Sequence, residues 1–89
     1  MPLALTVGLT ASVTPAQAQL KTINTLLDTA LKEYERGNYL VSLKISERAL
    51  EAVNEAKMGP LAVATATLNV AGNQNALGQY KEAEANYKI

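Results

Sequence analysis

The stretch ALGQYKEAEANYKI (residues 76–89) decides the fold, because it repeats the pattern of ERGNYLVSLKISER (residues 35–48). Gly37 and Tyr39 recur 41 positions later as Gly78 and Tyr80. Two small residues, Ser42 and its counterpart at position 83, stand where paired helices approach closely. A period near 41 residues with a turn between two helices is typical of α-solenoids, in which each repeat buries its apolar face on its neighbours.

The residues around these turns have helical spacing downstream of Gln19, because apolar positions recur every three or four residues. Gly37 is predicted to end the first helix, since glycine readily takes the left-handed conformation after a helix C-terminus. Asn38 is predicted to cap the second helix. One face of the first helix carries Leu20, Ile23, Leu27, Leu31 and Tyr34.

Two further breaks delimit the rest of the chain. Gly59-Pro60 ends the second helix, and Pro60 suits the first turn of a third. The third helix is expected to run to Leu77 and end at Gly78, and a fourth to start near Tyr80. The sequence therefore predicts an all-α fold of two antiparallel helix pairs. The alternative is an ordinary four-helix bundle in which the internal match is coincidental.

The chain resembles the tetratricopeptide repeat (TPR), most closely the long-period variety of kinesin light chains and many bacterial arrays. VATATLNVAGNQNALGQYKEAEANY (residues 63–87) carries most of the resemblance, and ERALEAVNEAKMGP (residues 47–60) is similar to the family's extended second helix and Gly-Pro loop. The resemblance implies an α-solenoid of about two repeats, at 20–58 and 60–89, within a domain at 19–89. The first repeat is weaker, because Ser42 and Ser46 replace the usual alanine and aromatic residue.

Two features depart from the family pattern. Gly72, Asn73, Gln74 and Asn75 replace apolar and aromatic residues, so this end of the third helix is expected to pack poorly and fray. The fourth helix stops early, which is expected to leave Ala83 and Tyr87 without a partner surface. We therefore expect the parent protein to be longer, with self-association through this exposed end as a further possibility.

Composition excludes several kinds of chemistry. The chain has no cysteine and no histidine, so it has no disulfide, no thiolate nucleophile and no zinc site with nitrogen or sulfur ligands. Eight basic and eight acidic residues cancel, so charge favours neither nucleic acid nor an anionic membrane. Glu47, Glu51 and Glu55 share a helix face but are interpreted as solvated. We expect no catalytic site, no metal and no cofactor.

The first eighteen residues are interpreted as a signal peptide. An apolar run from Leu3 to Val13 precedes small residues at Ala16 and Ala18, which suit cleavage after Ala18. The run is too short to span a bilayer, which needs about twenty residues. The basic residue that usually opens such a segment is missing, so an upstream start or an uncleaved N-terminal helix are the alternatives. We therefore expect export to the periplasm or the extracellular space, and no membrane span in the mature chain.

The resemblance implies a non-catalytic scaffold that binds a protein or peptide on its concave face, which the first helix of each repeat lines. The family's signature asparagine matches Asn69, whose amide can both donate to and accept from a ligand backbone. The alternatives are a sensor region of a larger exported enzyme, such as a caspase-like peptidase, or a self-assembling structural repeat. The predicted partner-binding residues are Leu27, Leu31, Tyr34, Thr65, Leu68, Asn69 and Gly72.

Overall fold

A computed structural model describes residues 14–88 of the chain. Four α-helices follow one another: α1 (Pro15–Glu35), α2 (Tyr39–Glu55), α3 (Pro60–Ala76) and α4 (Tyr80–Tyr87). Between residues 14 and 88 there is no β-strand. The all-α prediction is therefore confirmed for this part of the chain.

The N-terminus of α1 is capped by its own side chains. Thr14 Oγ1 accepts a hydrogen bond from the backbone N–H of Gln17 (3.1 Å), and the backbone N–H of Thr14 donates to Gln17 Oε1 (3.0 Å). This capping box satisfies two N–H groups that the first turn leaves free. Cleavage after Ala18 would remove this capping box, and the mature chain would then begin within α1. The apolar run from Leu3 to Val13 lies outside the described residues, so export stays a prediction.

The two glycine turns have the same backbone conformation. Gly37 and Gly78 have φ values of 82° and 79°. In the first turn the N–H of Asn38 donates to Glu33 O (2.9 Å), and in the second the N–H of Gln79 donates to Gln74 O (2.8 Å). These bonds belong to a Schellman motif, which satisfies the last free carbonyls of a helix. The glycine turns are confirmed where the sequence predicted them.

Asn38 is the N-cap residue of α2, as the sequence predicts, but its side chain makes no capping hydrogen bond. Instead, Asn38 Nδ2 donates to Glu33 Oε2 at 2.8 Å, and the same carboxylate accepts from Arg36 Nη1 at 2.9 Å. The side chain of Asn38 is therefore hydrogen-bonded to the end of α1, and this bond stabilises the turn instead of capping α2.

The helices pack in chain order. α1 packs on α2, α2 on α3 and α3 on α4, while α1 also touches α3. Within residues 14–88, α4 contacts neither α1 nor α2, whereas the first and last helices of a closed bundle would pack on each other. None of these helices combines the length and apolarity needed to cross a membrane.

The core has two chemically different halves. The half near the N-terminal ends of α1 and α3 is apolar and centres on Ile23, Val53 and Ala66. The other half contains Leu43 and Val70 but is otherwise mainly small and polar, with these residues buried: Ala30, Ser42, Ser46, Ala49, Ala71 and Asn73. Small side chains allow the helix backbones to approach closely. At this short distance, polar side chains can hydrogen-bond between helices, so polar contacts stabilise the second half together with apolar burial.

The expectation that the end of α3 frays is wrong. The helix continues through Ala76, and Asn73 and Gln74 are buried. Each amide finds a partner on another helix: Asn73 Nδ2 lies 3.4 Å from Ser46 Oγ, and Asn86 Nδ2 donates to Gln74 Oε1 at 2.7 Å. Buried amides are tolerated when they are hydrogen-bonded, which is how this polar segment joins the core.

The expectation that Ala83 lacks a partner surface is also wrong. Ala83 is 2% exposed and is the buried residue of α4, which packs on α3. Tyr80 and Tyr87 remain exposed at 66% and 51%. The exposed apolar surface at this end of the described chain therefore includes Leu77, Tyr80 and Tyr87 but excludes Ala83.

Candidate functional site

A groove runs between α1 and α3, on the face opposite the bulk of their contacts with α2. Leu31, Tyr34 and Leu68 border it, with exposed fractions of 52%, 41% and 49%. These side chains belong to the apolar faces that the sequence predicts for the two helices. Since α1 and α3 touch only lightly, these residues line an open surface instead of entering the core.

The C-terminal half of this α1–α3 groove contains a pocket of about 170 Å³, here called the small pocket. Five of the seven residues predicted to bind a partner line it: Leu31, Tyr34, Leu68, Asn69 and Gly72. The structure thus brings together side chains of α1 and α3, which are far apart in sequence.

The N-terminal half of the groove contains a pocket of about 360 Å³, here called the large pocket. Leu27 and Thr65, the other two predicted residues, line it together with Leu20 and Leu61. All seven predicted residues therefore lie in one groove but are divided between two pockets.

Asn69 has spare hydrogen-bonding capacity in the small pocket. Its Nδ2 donates to Thr65 O at 3.0 Å, one turn earlier in α3. Its Oδ1 accepts no hydrogen bond from any residue at positions 14–88. An asparagine amide has two N–H donors and one carbonyl acceptor, so one donor and the acceptor are available to a ligand.

Gly72 supplies empty space beside Asn69. A Cβ atom built on Gly72 would meet nothing within 4 Å, although the residue lies inside a helix. Glycine in a helix interior costs about 0.5–1 kcal/mol relative to alanine. Neither a turn nor a tight contact in the described chain requires glycine here, so the missing side chain matters most as room in the groove.

Polar contacts behind the small pocket fix the positions of its walls. Ser42 Oγ donates to Ala30 O at 2.6 Å, which ties α2 to α1. Asn73 Nδ2 donates to Asn69 O at 3.0 Å and lies 3.4 Å from Ser46 Oγ, which ties α3 to α2. The Oδ1 atom of Asn73 is buried and has no partner among residues 14–88. Because α2 is hydrogen-bonded to both α1 and α3, it fixes the distance between the two helices that form the walls of the pocket.

Sequence reasoning missed several lining residues, among them Ala30, Ser42 and Asn73 in the small pocket and Leu61 in the large one. Helical spacing could have identified two of them, because Leu61, Thr65, Asn69 and Asn73 follow one another at intervals of four. Asn73 was overlooked because its polarity suggested a frayed helix end.

No charged side chain lines either pocket of the groove. The charged residues of α2, including Glu47, Glu51 and Glu55, are exposed elsewhere. Across residues 14–88, no group of three or more acidic side chains is placed to hold a metal ion. A larger depression of about 530 Å³ also lies along α1, and its lining residues within positions 14–88 all belong to that helix.

Searches of protein-family models, of curated proteins and of solved structures each found no match to this chain. The geometry of the groove is therefore the basis of the functional proposal.

Proposed function

We propose that the chain is a non-catalytic binding module whose α1–α3 groove holds a peptide segment of a partner protein. The helix pairs are proposed to stack as two TPR-like repeats, which places the first helix of each repeat on the binding face. The observation that carries the proposal is the convergence of the seven predicted residues on one uncharged groove.

The groove chemistry suits a peptide better than a charged ligand. Leu31, Tyr34 and Leu68 offer apolar contact, and Asn69 offers an amide donor and acceptor at the same point. Peptide backbones carry one N–H and one C=O per residue, so a single asparagine can pair with both groups. Two short pockets give a small contact area, and we expect a dissociation constant on the order of micromolar. The absence of charge predicts binding that depends little on salt.

The first test uses peptides selected against the full chain from a display library of random twelve-residue sequences. Asn69→Ala should weaken the selected peptides by about 1 kcal/mol or more, or roughly fivefold, because it removes the free donor and acceptor. Isothermal titration calorimetry measures the affinity, and circular dichroism at 222 nm checks that the helices remain.

Asn54→Ala is the matched control, since Asn54 is exposed on α2 and lies outside both pockets. It should leave the affinity unchanged. If binding survives Asn69→Ala but is lost in Glu47→Lys or Glu51→Lys, the outer face of α2 is the true site. A library that yields no binder would also count against the proposal.

A further inference from the structure

The two pockets of the groove are separated by the same distance along both helices that line it. On α3, Leu61 lies in the large pocket and Asn69 in the small one, eight positions later. On α1, Ile23 and Leu31 mark the same two pockets, again eight positions apart. At a rise of 1.5 Å per residue, eight helical positions span about 12 Å. α1 and α3 therefore agree on the separation.

This separation matches an extended peptide with anchors four residues apart. An extended chain rises 3.2–3.4 Å per residue, so four residues cover about 13 Å. Side chains alternate between the two faces of an extended chain, and residues i and i+4 therefore point to the same side. Anchors two or six residues apart span about 7 Å or about 20 Å and match the separation of about 12 Å less closely.

Asn69 favours an extended ligand over a helical one. Its Oδ1 and its remaining N–H make no hydrogen bond within residues 14–88. They can pair with a ligand backbone only where the ligand does not already use its own N–H and C=O groups internally. A helix satisfies its own backbone N–H and C=O groups in its interior, whereas an extended segment leaves them available.

The volumes and the chemistry of the pockets define the two anchors. The large pocket, at about 360 Å³, is lined by Leu20, Leu27 and Leu61 and suits a large aliphatic or aromatic side chain. The small pocket, at about 170 Å³, suits a smaller side chain beside the amide of Asn69. Without a charged lining residue, a charged anchor would lose its hydration without gaining an opposite charge.

We propose that the partner segment is an uncharged extended peptide with a large apolar residue and a smaller residue four positions apart. This inference rests on the proposed function, because it specifies the ligand of the same groove. It adds a sequence rule for the partner, namely the spacing, the relative size and the neutrality of the two anchors.

The test uses neutral synthetic peptides of glycine and serine, acetylated and amidated at their ends, that carry one leucine and one valine. The spacing between the two anchors is two, four or six positions, in both orders. Titration into the ¹⁵N-labelled full chain should give binding about tenfold tighter for one order at spacing four, equivalent to 1.4 kcal/mol. The backbone amide signals of Thr65 and Gly72 should both shift.

One variant in the large pocket and one matched control outside the groove test the preference for spacing four. Thr65→Leu fills the large pocket and should abolish the preference for spacing four. Thr29→Leu is the matched control, because Thr29 and Thr65 are both exposed and each donates its hydroxyl to the carbonyl four residues earlier. Thr29 lies outside both pockets, and its variant should keep the preference.

The possible failures are distinguishable. Equal affinity for all spacings, with shifts confined to the groove, would overturn this inference and leave the groove as a peptide site. Lysine or glutamate anchors that bind as tightly as leucine and valine would also overturn it. If no peptide, including those from the display library, shifts the groove signals, the proposed function and this inference both fail.

Discussion

The turns at Gly37 and Gly78 have the same backbone but different side-chain surroundings. At the first turn the rings of Tyr34 and Tyr39 pack edge to face, with centroids 5.1 Å apart. At the second turn, Asn75 stands 41 positions after Tyr34, so Tyr80 has no facing ring and is 66% exposed. The backbone of each turn therefore depends on glycine, while side chains outside the turn decide how much of the neighbouring aromatic ring is buried.

The helix contacts beyond the turns also differ. Ser42 and Ala83 occupy equivalent buried positions, at 1% and 2% exposure. Only the serine can bond across helices, and its hydroxyl donates to Ala30 O. α3 and α4 are joined instead through the amides of Gln74 and Asn86. Ser42 and Ala83, 41 positions apart, thus share their burial but not their chemistry.

The largest expected effect comes from replacing the turn glycines. Gly37→Ala and Gly78→Ala should each cost about 1–2 kcal/mol locally, because both residues have positive φ. A Cβ at either position meets nothing within 4 Å, so the local cost is conformational and should be the same. Urea denaturation followed by circular dichroism measures the free energy of unfolding.

The comparison between these two variants reports how strongly α4 is coupled to the rest of the chain. If unfolding is fully cooperative, both variants lower the free energy of unfolding equally. A smaller loss for Gly78→Ala would show that α4 opens on its own, since α4 contacts only α3 among the described helices. No loss for Gly37→Ala would contradict the account of the turns.

A smaller effect is expected from giving the second turn the aromatic pair of the first. Asn75→Tyr places a ring opposite Tyr80 and should stabilise the chain by about 1 kcal/mol, the usual size of an edge-to-face contact. The control is Tyr34→Asn, which should cost a similar amount by removing the ring that faces Tyr39. Thermal unfolding of the two variants checks both directions. A destabilised Asn75→Tyr variant would mean that the surroundings of the two turns are not equivalent.

Much of the fold could be predicted because its signals are local. Gly37 and Gly78 end α1 and α3 through their own backbone preferences, and apolar spacing marks the helices between the breaks. Gly59-Pro60 opens α3. The prediction that it also ends α2 is wrong, because α2 ends at Glu55 and Lys57 takes the left-handed conformation after it (φ 52°). The start of α1 was not predicted, because the Thr14–Gln17 capping box lies in a segment interpreted as an export signal. The burial of Gln74 was not predictable either, since its partner Asn86 lies twelve residues away on another helix.

The sequence could predict which residues of the candidate site share a helix face, but not the pockets that they form. Family resemblance and helical spacing placed Leu68, Asn69 and Gly72 on one surface, and the structure puts all three in the small pocket. The division of the groove into two pockets depends on how the side chains of α1 and α3 fill the space between them. That depends on tertiary packing, which neither spacing nor composition specifies.

Gly72 and Leu31 complete the comparison, because they are 41 positions apart and line the same pocket. At these two positions, therefore, the α1 wall carries a large apolar side chain and the α3 wall carries none. In the proposed function this bare position lets a peptide backbone approach α3 closely. Glycine at position 72 makes α3 less stable than alanine would, although an alanine would fit there without a clash.

Gly72→Ala is the most direct test of the binding groove. The variant should raise the free energy of unfolding by about 0.5–1 kcal/mol, because alanine favours the helix. It should also weaken the selected peptides at least about fivefold, since its methyl group occupies the space of the ligand backbone. Calorimetric titration alongside thermal unfolding, with Asn54→Ala as the control, measures both quantities. A variant that is more stable and binds the peptides as tightly as the wild type would contradict the assignment of the α1–α3 groove.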